Sequence, residues 1–237
     1  MSFASVSFLL FFLVVLLLLL LVQRVLPFAE IKRRIICQGI LLIASYVFYG
    51  WWNMRLCLLL MGITWISFFT AVKKDEKHLR QSRISLLIGV GTPLAVLGIF
   101  KYYDFFVTSF CEVFHLTPGV LNLILPVGIS FYTFQALSYT IDVYTGKIEK
   151  EKSFLQFALY LSFFPQLVAG PIVKASEFLP QLKENRKVTL SGLESGIQIF
   201  VFGMFKKVVL ADNISVFVDE VYRSPQIFGS GTVALAV

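Results

Sequence analysis

Seven apolar stretches alternate with short charged segments along this chain, at residues 3–22, 35–50, 56–72, 84–100, 125–141, 153–169 and 190–210. A helix needs about 20 apolar residues to cross the hydrocarbon of a bilayer, so six or seven such stretches use up most of the 237 residues. Only 15% of the residues are charged, against about 25% in soluble domains, and the mean hydropathy is +0.81. Within lipid the backbone polar groups must be satisfied by the protein itself, and stretches of this length do so as helices. The sequence therefore predicts an all-α polytopic membrane protein, with residues 1–237 forming a single transmembrane domain embedded in a lipid bilayer.

A formal net charge of +7 would point toward nucleic acid in a soluble chain. Here the basic residues lie in short segments between apolar runs, where cytoplasmic loops collect Lys and Arg, so no nucleic-acid partner is expected. The first run contains LLLLLL but has no basic residue before it and no small-residue cleavage site after it. It reads as a span and not as a secretory signal. Arg24, Lys32, Arg33 and Arg34 follow it, which puts the N-terminus outside. Segments 23–34, 73–83 and 142–152, placed inside, then hold twelve Lys and Arg; segments 51–55, 101–120 and 172–188, placed outside, hold six. Four of those six are Lys174, Lys183, Arg186 and Lys187, on the wrong side of the membrane. The conflict disappears if either 125–141 or 153–169 is re-entrant. Pro126 and Pro165 are natural breaking points, since proline lacks an N–H and clashes with the preceding turn.

Those two segments are also the most polar of the apolar runs. The first carries Ser130, Thr133, Gln135, Ser138 and Thr140 and ends at Asp142; the second carries Gln156, Ser162 and Gln166. At helical spacing Gly128, Tyr132, Gln135, Tyr139 and Asp142 share one face. Polar groups at membrane depth turn toward protein or a wet cavity, so this face is the expected lining of a site.

The remaining chemistry is sparse. Cys37, Cys57 and Cys111 form no CxxC pair, and neither a metal site nor a disulfide framework is expected. No P-loop, dinucleotide fingerprint, G-x-S-x-G or H-E-x-x-H motif occurs. His78 lies in a basic loop and His115 beside a turn, and Asp75, Glu76, Glu149 and Glu151 lie among lysines, where solvated charge is expected. Trp51 and Trp52 read as an interfacial belt. Gly192, Gly196 and Gly203 suit close helix packing, and Lys206 with Lys207 is expected to close the helix over 190–210. Residues 233–237 begin a further apolar segment.

Three runs together resemble a known family. LPVGISFYTFQALSYTIDVYTG (125–146), FALYLSFFPQLVAGPIV (157–173) and FVFGMFKKVVLADNI (200–214) are similar in order and spacing to the membrane-bound O-acyltransferases, or MBOAT proteins, in their alginate O-acetylase-like branch. The resemblance implies an MBOAT-like helical bundle with a funnel and tunnel, located in the bacterial inner membrane. It implies transfer of an acetyl group from a cytoplasmic donor, acetyl-CoA or an acyl carrier acting as co-substrate, to a hydroxyl of an exported or cell-envelope polysaccharide. A second envelope acetyltransferase that receives the acyl group is the implied partner, with no bound cofactor. The family's catalytic histidine, in a W-R-W-H-x-S segment, is expected beyond Val237, so the chain is read as an N-terminal portion, incomplete at the C-terminus and inactive alone. Matched to the family's first element are Pro126, Gly128, Ser130, Gln135, Tyr139 and Asp142; matched to its second are Pro165, Gln166, Gly170 and Pro171. Two rival readings stand beside this one: a transport protein with a polar re-entrant segment, for which inverted repeats would be expected and none is visible, and a non-catalytic fragment.

Overall fold

The computed structural model describes residues 5–24, 29–117, 119–168, 170–184, 189–224 and 226–236, and every regular element among them is helical. The chain divides into two compact units, one built from residues 14–185 and one from 186–237 with 2–13. Helix α1 (Val6–Arg24) is apolar on all sides and closes on Arg24, where a cation complements the helix dipole.

The first unit is built on α2 (Glu30–Gly50), α3 (Met54–Thr70), α4 (Leu79–Leu97), α5 (Tyr103–Phe114), α6 (Ile129–Tyr144), α7 (Phe154–Ser162), α8 (Phe164–Leu167) and α9 (Ala175–Lys183). Trp51, Trp52 and Asn53 turn α2 into α3, and the Asn53 side chain caps α3 by accepting from the Arg55 N–H at 2.9 Å. Helices α3, α4, α6 and α7 pack together, with α2 and α9 against α7. Tyr132, Tyr139, Phe157 and Tyr160 are among the most deeply buried side chains. In lipid, apolar burial alone does not hold helices together; close packing and polar bonds do. The hydroxyls of Ser45, Thr64, Thr140 and Ser162 each donate to a carbonyl one turn back, at 2.7–2.9 Å, so they stay satisfied within their own helices. Gly89 of α4 marks a close approach to α3 and α6: a Cβ there would lie 2.5 Å from Thr70 Oγ1 and 2.9 Å from Thr140 Cγ2.

Several boundaries differ from the sequence expectation. Lys32, Arg33 and Arg34 lie inside α2, and Arg80 and Arg83 inside α4, because a helix runs on through charged residues once its apolar face is anchored. The span expected over 84–100 does not end at Lys101. A π-helical turn (Gly98–Tyr102) carries it into α5, giving a 36-residue helix from Leu79 to Phe114. Gly91 and Pro93 lie inside this helix without ending it, and it stops at His115, whose φ of 54° supplies the left-handed cap. Beyond the cap the chain doubles back, and the Asp104 carboxylate accepts from the N–H groups of Leu121 and Asn122 at 2.7 and 3.0 Å. Of the seven expected spans, two described helices, Val6–Arg24 and Leu79–Phe114, are long and apolar enough to cross a membrane. Of the others, α2 is longer than its apolar run but carries Glu30, Lys32, Arg33 and Arg34 in its first two turns, α3 (17 residues) and α6 (16 residues) fall short of about 20 residues, and α7 breaks after nine.

In the second unit, α10 (Leu190–Phe205) passes through a π-helical turn (Lys206–Ala211) into α11 (Asp212–Arg223), and α12 (Ser230–Leu235) follows. Lys206 and Lys207 therefore do not close the helix. Lys207 pairs with Asp212 at 2.6 Å, five residues on, across the widened turn. Among the described residues no neighbouring atom comes within 4 Å of where a Cβ would sit at Gly196 or Gly203, so those two glycines mark no close packing there.

Candidate functional site

Segment 153–169, the second of the two polar runs, is not one helix. Helix α7 stops at Ser162 after nine residues, about 14 Å at 1.5 Å per residue. Phe163 leaves helical geometry (ψ 110°), Pro165 sits in the first turn of α8, and α8 itself lasts four residues. A broken helix leaves carbonyls and N–H groups without helical partners, and at membrane depth each needs another.

The structure supplies those partners from named side chains. The Gln166 amide donates to the Tyr160 carbonyl at 3.0 Å, closing the end of α7. The Phe164 N–H donates to Ser45 Oγ of α2 at 3.2 Å, and Phe48 packs on the Phe164 ring at 5.7 Å. The Tyr160 hydroxyl donates to the Val173 carbonyl at 3.1 Å, holding the chain that leaves the break. Gly170 donates its N–H to the Gln166 carbonyl at 3.0 Å. A Cβ at Gly170 would lie 2.5 Å from the Gln166 Cα, so this turn closes too tightly for a side chain.

The first polar run meets the break end-on. Gly128 begins α6 with φ 74°, a left-handed conformation suited to glycine. A Cβ there would stand 2.2 Å from the Leu167 carbonyl oxygen. Pro126, buried just before it, accepts the Ile129 N–H through its carbonyl at 3.2 Å. Ser130 accepts from Lys101 Nζ at 3.5 Å. Gln135 and Tyr139 are buried along α6.

At the other end of α6, Tyr139 reaches the loop before α7, and its hydroxyl accepts the Glu151 N–H at 2.9 Å. Glu151 is the centre of this end, with its side chain only 5% exposed. Its carboxylate accepts from the N–H groups of Lys152 and Ser153 at 2.9 and 3.0 Å and pairs with Lys183 Nζ at 2.8 Å. Solvated charge, the expectation for Glu151, is thus incorrect. Burial raises the Glu151 pKa, but the Lys183 bond and the two N–H donors outweigh it and hold the carboxyl below its ordinary range. The Arg34 guanidinium donates to the Lys183 carbonyl at 2.5 Å, and the Gln38 amide to the Leu182 carbonyl at 2.7 Å. The chain that enters at Glu151 therefore returns beside it at Lys183.

The ten residues singled out in the sequence sort into three groups. Gly128, Gln166 and Gly170 meet at the break, with Pro126 two residues before Gly128, whereas Tyr139 secures the Glu151 loop and Asp142 pairs with Lys147 at 3.4 Å. Gln135 lies between these ends, Ser130 faces Lys101, and Pro165 and Pro171 are exposed. None of the ten lines the groove of about 1050 Å³ that opens between α2, α3 and α7. Glu151, Tyr160 and Gly89 were not singled out. The Ser153-x-x-Gln156 cap that follows Glu151 was the available signal for the first; Tyr160 and Gly89 had none. His78 bonds Asp75 at 2.9 Å on an exposed surface and lowers that carboxyl's pKa. Among the described residues no three His, Cys, Asp or Glu side chains converge as metal ligands would.

The family model described as MBOAT, the membrane-bound O-acyltransferase family, matches residues 147–228, which begin in the Glu151 loop and take in the break. A protein of Pseudomonas putida named "Probable alginate O-acetylase AlgI" is 38% identical over 189 residues, 77% of this chain and 39% of its own length. A peptidoglycan O-acetyltransferase of Helicobacter pylori is 37% identical over 206 residues, 76% of this chain and 39% of its own length. A teichoic acid D-alanyltransferase of Streptococcus thermophilus is 31% identical over 97 residues, 40% of this chain and 22% of its own length. The chain thus spans about two fifths of the length of the first two relatives. No solved structure matches it.

Proposed function

We propose, from the premise that this chain belongs to the membrane-bound O-acyltransferase family, that it forms the scaffold of an inner-membrane acetyltransferase acting on an exported or cell-envelope polysaccharide. The observation that carries this reading is the end-on contact of Gly128 with the Leu167 carbonyl. It joins the two proline–glycine elements through which the chain resembles the family. The acyl donor would be acetyl-CoA or an acyl carrier on the cytoplasmic side, and a second envelope acetyltransferase would receive the acyl group. Neither histidine here is built as a general base: His78 is exposed against Asp75, and His115 is an exposed helix cap. The proton-accepting step is assigned to a histidine outside these 237 residues.

In this reading α7 and α8 form the re-entrant element. About 14 Å of helix reaches roughly half of a ~30 Å hydrocarbon core. The Glu151–Lys183 pair supports placing both ends of the excursion on one face. Segment 172–188 then joins the cytoplasmic side. The inside count of Lys and Arg rises from twelve to sixteen and the outside count falls from six to two, as the charge rule favours.

The test is the ester-linked acetate of the envelope polysaccharides in cells with the gene intact, deleted and restored. Loss on deletion and recovery on restoration are expected; unchanged acetate refutes the function. Restoration by the 237 residues alone would refute the assignment of the base to a segment outside them.

A further inference from the structure

We infer that the groove between α2, α3 and α7 holds one acyl chain of an anionic phospholipid, with the lipid phosphate on Arg55. The inference rests on the membrane placement proposed above. The groove encloses about 1050 Å³, at the top of the range of roughly 300–1,000 Å³ usual for small-molecule sites. Ile43 and Val47 form one wall, Leu58 and Met61 another, and Phe154 and Ala158 a third. Its outer rim is open, with Ile43 67% and Leu58 71% exposed. Gly62 contributes no side chain, and nothing stands within 4 Å of where its Cβ would be. Along α3 the lining runs from Met54 to Ile66, about 18 Å at 1.5 Å per residue. One leaflet of a ~30 Å hydrocarbon core is about 15 Å deep, so the groove has the length of a single leaflet's acyl chain.

Its charge identifies the headgroup. Arg55 is the one charged residue in the lining. It is exposed and makes none of the ion pairs seen among the described residues. It also stands in the first turn of α3, where the helix dipole disfavours a cation. No feature of the fold therefore accounts for the charge at that position. A phosphate would offset both the guanidinium and the positive end of the helix. Trp51 and Trp52, both more than 60% exposed, sit just before it, and such residues favour headgroup depth. A free anion would use the arginine and leave the groove unused. A ligand that fills both carries a phosphate and a long apolar chain, which is a bilayer phospholipid, and one whose headgroup has no cation of its own leaves the phosphate charge for the guanidinium.

The test is native mass spectrometry of the full chain purified in detergent, titrated with dioleoyl phosphatidylglycerol and with the matching phosphatidylcholine. One phosphatidylglycerol should be retained, about five- to tenfold more tightly than phosphatidylcholine, and millimolar inorganic phosphate should not displace it. Arg55→Gln should reduce phosphatidylglycerol to the phosphatidylcholine level, and Gly62→Leu, which fills the groove, should abolish retention of both. Equal retention of the two lipids by the unaltered protein, an unchanged preference in Arg55→Gln, or displacement by phosphate overturns the headgroup assignment. Full retention by Gly62→Leu overturns the groove. If that variant does not fold, a photoactivatable phosphatidylglycerol on the unaltered protein decides instead: adducts on α2, α3 or α7 uphold the site, and adducts elsewhere overturn it. A chain that stays soluble without detergent refutes the membrane placement itself; one that needs detergent yet shows no lipid preference refutes only this inference.

Discussion

Replacing Gly128 with alanine tests whether the two polar segments depend on their end-on contact. The new Cβ would stand 2.2 Å from the Leu167 carbonyl oxygen, and ordinary contact begins near 3.4 Å. The segments would have to separate by the 1.2 Å difference, and the obstacle is backbone, which has no rotamer to change. A non-glycine residue held at φ 74° costs a further ~1–2 kcal/mol, and overpacking of this kind costs ~1–3 kcal/mol. The sum, about 2–5 kcal/mol, is a large part of the ~5–15 kcal/mol that a domain has in total. At ~2–4 °C per kcal/mol for a chain of this size, the midpoint of thermal aggregation should fall by roughly 4–20 °C. Size-exclusion chromatography of heated, detergent-solubilised protein reads that directly. Gly196→Ala is the internal control, because its Cβ meets nothing within 4 Å and alanine in a helix interior gains about 0.5–1 kcal/mol over glycine. A Gly128→Ala midpoint within about 2 °C of the parent, a shift below that worked out here, would refute the contact; so would equal damage from both substitutions.

Gly89→Ala should cost ~1–3 kcal/mol by overpacking, and adding Thr70→Ala, which removes the atom 2.5 Å away, should recover much of it in the same heating assay. Glu151 binds its proton more weakly folded than unfolded, so its contribution is complete above the unfolded pKa of about 4.3 and is lost as pH falls through the lower folded value. Midpoints from pH 7 to pH 3 should therefore drop more steeply below about pH 4.5 in the parent than in Glu151→Gln; parallel curves would refute the role of the carboxylate. Lys183→Gln leaves the Glu151 carboxylate, 5% exposed, without its cation and should cost ~3 kcal/mol or more, whereas Glu151→Gln leaves Lys183, 57% exposed, free to hydrate and should cost less; the reverse order in the same assay would contradict the burial of the carboxylate.

The helical class and most helix centres could be read from hydropathy, because a twenty-residue apolar run has few other ways to satisfy its backbone. Ends were harder to read. Lys101 and Lys206 look like stops in a hydropathy profile, yet both lie in π-helical turns, where the backbone continues through the charged residue. Glu151 illustrates a different limit. Its burial depends on Lys183, thirty-two residues downstream, and on two N–H groups at the start of α7, none of which is visible from the lysines beside it. Gly128 and Gly170 were legible as special positions, since proline and glycine punctuate backbone whatever the fold. What each approaches, the Leu167 carbonyl in one case and the Gln166 backbone in the other, is tertiary information.

The polar residues of 125–171 invite the idea of a cavity lining, but the geometry assigns the best-placed of them a prior task. A helix that breaks in hydrocarbon exposes carbonyls and N–H groups that water cannot reach, at a cost of ~1–3 kcal/mol each when unsatisfied. Gln166, Ser45 and Tyr160 each bond one backbone group at the break or the exit from it. If Gln166 instead served an acyl donor or acceptor, the Tyr160 carbonyl would first have to lose its partner. Gln166→Leu separates the alternatives, because the carbonyl is then orphaned whether or not substrate is present. In the structural case the thermal midpoint falls, by about 1–3 kcal/mol in stability, and the envelope acetylation proposed above is retained per folded protein. Loss of transfer with an unchanged midpoint would mean that the amide is spent on substrate and that the bond to Tyr160 is incidental.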